Sequence, residues 1–131
     1  MTRFADTFYF LALLNVNDSA HSAALAHSSG PGRIVTTEWV LMEVGDAMAW
    51  RPKRQSFIDL HRLLRSEPDV EIIPASAEMF ARGMEFFAAR TDKDWSLTDC
   101  TSFIVMQERG ISDALTGDHD FEQAGFRALL K

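Results

Sequence analysis

Short apolar runs alternate with longer stretches of helical periodicity along this chain, the pattern of an α/β fold built on a parallel sheet. The first run is Arg3–Asp6, and a helix follows at once from about Thr7 to Leu14. A second helix is expected from the cap candidate Ser19 to about Ser29, stopped by Gly30-Pro31-Gly32. Arg33–Thr36 reads as the next strand, and Thr37 caps a helix reaching about Trp50. Arg51-Pro52 ends that helix, while Phe57, Leu60, Leu63 and Leu64 mark the apolar stripe of another. Val70–Pro74 is a strand closed by proline, and Ser76 caps a helix carrying Met79, Phe80, Phe86 and Phe87. A helix from Thr98 to Arg109 stops at Gly110. The remaining pattern predicts a strand over Ser112–Thr116, a short helix over Asp118–Ala124 and an edge strand over Phe126–Leu130. These elements describe one domain over residues 1–131, with a central, mostly parallel sheet of four to five strands flanked by helices.

Composition narrows the class. Apolar residues make up 47% of the 131, enough for an ordinary packed core. Cys100 is the sole cysteine, so no intramolecular disulfide can form and a reducing compartment is expected. Met1-Thr2-Arg3 runs directly into the first strand without the look of a leader, and no apolar run approaches a bilayer span. The expectation is a cytoplasmic protein with no membrane partner. A net charge of −6 argues against simple nucleic-acid binding, which favours a basic surface. Clustered acids reverse that argument if they hold a cation.

Four acids stand where strands end and helices begin. Asp6 closes the first strand, Asp118 follows the apolar stretch Ala114–Gly117, Asp99 opens a helix, and Glu43 interrupts the run Trp39–Val44. Taken singly, Asp6 and Asp118 also suit helix caps, and Asp99 suits a first-turn acid. Glu43 shares a helix face with Val40, Val44 and Ala47, where burial of a carboxylate is costly without a partner, and no Lys or Arg lies one turn away. Carboxylates gathered in one place repel unless a cation neutralises them. Ligands of oxygen alone favour Mg²⁺ or Mn²⁺ over Zn²⁺.

These residues resemble the PIN-domain ribonucleases, particularly the VapC-type toxins of prokaryotic toxin–antitoxin pairs. Four blocks carry the resemblance: Phe4-Ala5-Asp6-Thr7, Val40-Leu41-Met42-Glu43-Val44, Ser96-Leu97-Thr98-Asp99-Cys100-Thr101-Ser102-Phe103, and Leu115-Thr116-Gly117-Asp118-His119-Asp120-Phe121 followed by Ala124-Gly125-Phe126. Together they span nearly the whole chain. The resemblance implies a PIN-like three-layer sandwich in which Asp6, Glu43, Asp99 and Asp118 are the metal-binding carboxylates, Glu43 through water or as a general base. Asp120 stands at a position the family leaves variable; a solvated helix-start acid is its first reading, and help to a second metal ion its second. Thr7 and Thr116 are candidates for orienting a ligand or an acid. The implied reaction is hydrolysis of an RNA phosphodiester by metal-activated water. A small antitoxin and a homodimer are the implied partners.

Other residues weigh less. His119 reads as an exposed loop histidine, Cys100 as a buried small hydrophobe, and His21, His27 and His61 follow no catalytic pattern. Arg51, Lys53, Arg54, Arg62 and Arg65 make a basic cluster suited to solvent or to an RNA backbone. Arg90, Lys93 and Trp95 offer a second RNA contact, with Trp95 stacking on an unpaired base. Phe8, Tyr9, Phe10 and Leu14 suit either the core or a partner groove. Two other acidic-pocket folds fit poorly: a haloacid-dehalogenase phosphatase expects an acid where Phe8 stands, and a receiver domain expects a late-strand lysine that is missing. The alternative of a different class is a PIN-like module that binds RNA or protein without cutting, which metal-dependent cleavage separates from a nuclease.

Overall fold

The computed structural model describes all 131 residues. Five strands, β1 (Thr2–Ala5), β2 (Arg33–Thr37), β3 (Val70–Ile73), β4 (Asp113–Leu115) and β5 (Arg127–Ala128), form one sheet in the order β3-β2-β1-β4-β5. All four pairings are parallel. Seven helices supply the crossovers: α1 (Thr7–Leu14) and α2 (His21–Ser28), α3 (Glu38–Ala47) and α4 (Arg51–Ser66), α5 (Ala77–Ala89) and α6 (Leu97–Arg109), and α7 (His119–Gln123).

Strand order carries the functional consequence. From β1 the chain steps outward to β2 and β3, then returns to add β4 and β5 on the opposite side. The order reverses between β1 and β4, so a crevice opens beyond their carboxyl ends. Asp6 follows β1 and Thr116 follows β4 at that point.

Central strands of a parallel sheet are covered on both faces, which is why Phe4, Ala5, Val35, Thr36, Ala114 and Leu115 are all buried rather than alternating. α6 crosses the middle of the molecule and is buried continuously from Asp99 to Met106. Phe103 on this helix meets Trp95, Phe121 and Phe126 at centroid distances of 5.1, 4.9 and 5.6 Å, tying α6 to α7 and β5.

Local chemistry sets the element ends. Thr37 and Ser76 cap α3 and α5 by accepting the amides of Val40 and Met79. Gly110 ends α6 in the left-handed conformation, at φ 65°. Several expected ends shift. α2 is capped from Ala20, whose amide donates to Asp18 Oδ1, rather than from Ser19. α3 stops at Ala47, short of Trp50, and Pro52 lies in the first turn of α4, where its missing N–H is tolerated. β5 is only two residues long, shorter than the Phe126–Leu130 run that predicts it.

Candidate active site

Each acid is positioned by a different piece of local structure. Asp6 is the residue at which β1 turns into α1; its own side chain does not cap that helix. It is 4% exposed, and its Oδ2 accepts a 2.9 Å hydrogen bond from the Thr116 hydroxyl. That same Thr116 oxygen accepts the Asp118 amide at 3.0 Å. Asp118 in turn caps α7, its Oδ1 accepting the Asp120 amide at 2.9 Å.

Asp99 sits in the first turn of α6, inside a capping box. Ser96 accepts the Asp99 amide, and Asp99 Oδ2 accepts the Ser96 amide, both at 3.0 Å. One carboxylate oxygen is thereby fixed and the other left for a ligand. Glu43, on the middle turn of α3, takes a hydrogen bond from the Thr7 hydroxyl.

Gly117 keeps the Thr116–Asp118 turn close to α1. A Cβ there would come within 2.5 Å of Phe8 Cζ, so only glycine lets the Phe8 ring lie beneath the turn.

The tightest group is Asp99, Asp118 and Asp120, which each offer an oxygen within 4.8 Å of the others. Asp6 stands beside this triad, repelled by Asp118 and acting on Asp99, and Glu43 acts on Asp6 in turn. Asp120, expected as a solvated acid, is half-buried and close enough to Asp99 for a side-chain hydrogen bond. Glu43, expected among apolar neighbours, is half-buried beside α1, with Thr7 as its partner.

The electrostatics are those of acids held together without a counter-charge. Burial raises the Asp6 carboxyl to about 6, with Glu43 and Asp118 adding repulsion and the Thr116 and Thr7 hydrogen bonds opposing it. Burial raises Asp99 to about 7, reinforced by Asp6, Asp118 and Asp120 and opposed by the Ser96 amide. Asp120 is raised by burial and then by Asp118. No lysine or arginine stands among these influences, and none of the five acids belongs to an ion pair.

The PIN domain family model matches residues 3–127. This chain belongs to the PIN-domain family.

Among its relatives are the proteins named 23S rRNA-specific endonuclease VapC20 from two Mycobacterium tuberculosis strains, 29% identical over 124 residues that cover 94% of either chain. The crystal structure of M. tuberculosis VapC20, described as a sarcin–ricin loop cleaving toxin, superposes with a TM-score of 0.84 at 28% identity, covering 96% of both chains. Two more distant structures share the fold: VapBC2 from Rickettsia felis bound to a promoter DNA fragment (TM-score 0.68, 15% identity, 98% and 96% covered) and FitAcB from Neisseria gonorrhoeae (TM-score 0.64, 17% identity, the same coverage).

Other candidate residues of this PIN domain fall on one side or the other of the surface. Trp95 is 5% exposed, packed edge-on against Phe86 and Phe103, with its indole N–H donated to Gln123 at 3.1 Å. Arg90 lies 4.8 Å over the ring. The indole is thus committed to the core, and base stacking by Trp95 is excluded in this fold. Tyr9 and Phe10 are buried as well, leaving Phe8 and Leu14 partly exposed. All five basic residues from Arg51 to Arg65 share α4, where Arg54 is turned back onto the Ala49 carbonyl. His119 is exposed and faces Glu122, and Cys100 is buried and free.

Proposed function

We propose that this PIN domain is a divalent-metal-dependent endoribonuclease, the toxin half of a toxin–antitoxin pair, acting in the cytoplasm on a structured segment of ribosomal RNA. The observation that carries the reading is the group of buried and half-buried carboxylates at the sheet's switch point, with Asp6, Asp99 and Asp120 raised in pKa by burial and no protein cation paired to any of the group. Such an arrangement is unfavourable in isolation and becomes favourable around a hard divalent ion. Kinship with VapC20, a 23S rRNA endonuclease, supports RNA as the substrate and a ribosomal stem-loop as its form.

Asp6, Asp99, Asp118 and Asp120 are the residues assigned to hold Mg²⁺ or Mn²⁺, with Glu43 reaching it through water. When bound, the ion supplies positive charge against the phosphodiester and lowers the pKa of a coordinated water. Thr116 keeps Asp6 and Asp118 in register, and the capping box fixes the Asp99 carboxylate before any ligand arrives. Glu43, whose carboxylate accepts from Thr7, is assigned the general-base role at the edge of the site. Asp120, the secondary metal candidate of the sequence, joins the ligand set on its distance to Asp99 and Asp118.

For partners, we assign a small antitoxin, by analogy with the VapBC and FitAB relatives, and a second copy of this chain. Exposed Met42, Phe80, Met84 and Phe87 on α3 and α5 give the copy an apolar face. No helix is long and apolar enough to cross a membrane.

The test is cleavage of a 23S rRNA fragment containing the sarcin–ricin loop by purified protein with Mg²⁺ or Mn²⁺. The expected result is a discrete cut that disappears in EDTA and in Asp99→Asn. Cleavage surviving both controls would remove the metal-dependent assignment.

A further inference from the structure

Acidic residues outnumber Lys and Arg by 19 to 13 in this chain, and the surface arginines divide into two groups. Outside α4, each is held by a carboxylate: Arg33 and Arg109 by Glu71, Arg82 by Glu108, Arg90 by Asp92 and Arg127 by Asp113, at between 2.8 and 3.5 Å. The four arginines of α4 differ. Arg51, Arg54 and Arg65 form no ion pair, and Arg62 reaches Asp59 only at 4.0 Å. Arg54 donates instead to the Ala49 carbonyl, a neutral partner that leaves its charge uncompensated.

Local helix chemistry does not explain this face. Arg51, Lys53 and Arg54 crowd the first turn of α4, which holds no acid, although the amino end of a helix favours acids over cations. The four arginines are spaced by three, eight and three residues, near whole turns, so they share one stripe about 21 Å long. All four are exposed, while Leu60 and Leu64 carry the buried side of the helix. The stripe also starts close to the acids. Phe57, one turn after Lys53, packs on Gly45 of α3, where a Cβ would lie 3.1 Å from its ring, and Gly45 is two residues beyond Glu43. Guanidinium groups with no carboxylate of their own match the oxygens of successive phosphates.

We infer that the outer face of α4 is an RNA-docking surface, on which Arg51, Arg54, Arg62 and Arg65 hold the phosphodiester backbone flanking the cleaved segment. It rests on the nuclease reading for the choice of RNA among polyanions. The stripe gives a chain of net charge −6 a local means of capturing a polyanion, separate from the acids that hold the metal.

The probe is a fluorescently labelled 23S rRNA fragment containing the sarcin–ricin loop, titrated with the full chain in EDTA so that the RNA stays whole. Anisotropy is read over a series of KCl concentrations. The expected result is an affinity that falls steeply with salt. The variant Arg51→Gln/Arg54→Gln/Arg62→Gln/Arg65→Gln should bind about tenfold or more weakly and flatten the slope of log K against log salt by about three. The matched variant Arg33→Gln/Arg82→Gln/Arg109→Gln/Arg127→Gln removes the same charge from paired arginines and should leave the slope nearly unchanged. Exposed ion pairs contribute too little for their loss to unfold the chain. Equal losses in both variants would make net charge the cause and overturn the inference. So would an unchanged slope in the α4 variant, no RNA binding by the native chain, or tighter α4-dependent binding to phosphatidylglycerol vesicles than to the RNA. The nuclease reading is judged apart from this. A chain that binds RNA through α4 but never cuts it with Mg²⁺ loses that reading and keeps this one, and cleavage with an unaffected α4 variant does the reverse.

Discussion

The Thr116 hydroxyl donates to Asp6 Oδ2 at 2.9 Å across 110 residues of sequence. With its lone pair it also receives the Asp118 amide, so one fully buried oxygen sets two of the acids. Thr116→Val keeps the volume and removes both bonds. The expected outcome is a metal affinity lowered about tenfold or more, with Thr116→Ser restoring most of it. Metal titration followed by thermal shift checks this; unchanged affinity in the valine variant would make Thr116 a packing residue only.

The raised carboxyls predict an inverted link between charge and stability. Asp6 and Asp99 lie at about 6 and about 7 in the folded state, against 3.8 in the unfolded chain. The folded state therefore keeps these protons longer. Without metal, their contribution is most favourable below about pH 4 and is lost as the pH climbs to about 7. For Asp6 the loss is about 3 kcal/mol. Chemical denaturation in EDTA at pH 5 and pH 8 should show the metal-free protein weaker at pH 8, and saturating Mg²⁺ should reverse the order.

Asp6→Asn follows from the same argument. Asparagine still accepts from Thr116 but carries no charge, so the metal-free variant should melt about 5–10 °C higher than the native chain at pH 8. Its RNA cleavage should fall by three orders of magnitude or about that. A variant that loses activity and stability together would point to misfolding instead.

Gly117→Ala tests how tightly the last acid is placed. The new methyl meets Phe8 at 2.5 Å, so the ring or the turn bearing Asp118 must move. Cleavage should drop about tenfold or more with only a modest change in melting. A second substitution, Phe8→Leu, should recover much of it, as steady-state kinetics on the single and double variants would show.

Trp95→Ala should act on stability alone. The indole fills the space between α5 and α6 and meets Phe86 and Phe103, so its removal should cost about 3–5 kcal/mol. RNA affinity of the folded fraction should not change. A selective loss of affinity would restore the stacking role that burial excludes.

Much of this could be read along the chain. Strand and helix order follows from the alternation of apolar runs, and Asp6 and Asp118 stand just past β1 and β4 because parallel strands deliver their carboxyl ends to one rim, whereas Asp99 reaches it from the first turn of α6 and Glu43 from the middle of α3. Asp120 was harder to place: its backbone position marks a helix start, and only the turn made by Thr116 and Gly117 brings it to Asp99. Trp95 misled because composition beside Arg90 and Lys93 is the same for a stacking platform and for a core indole with cations over its face.

Strand order has a further meaning in time. Because β4 pairs with β1 across more than a hundred residues, Asp6 stays without Thr116 and Asp118 until that stretch has been made. A chain that stops short of β4 carries Asp6, Glu43 and Asp99 but lacks Thr116, Asp118 and Asp120, and so has no pocket. Pairing of β4 with β1 is thus the folding step that brings Asp6 under Thr116 and sets Asp118 beside it.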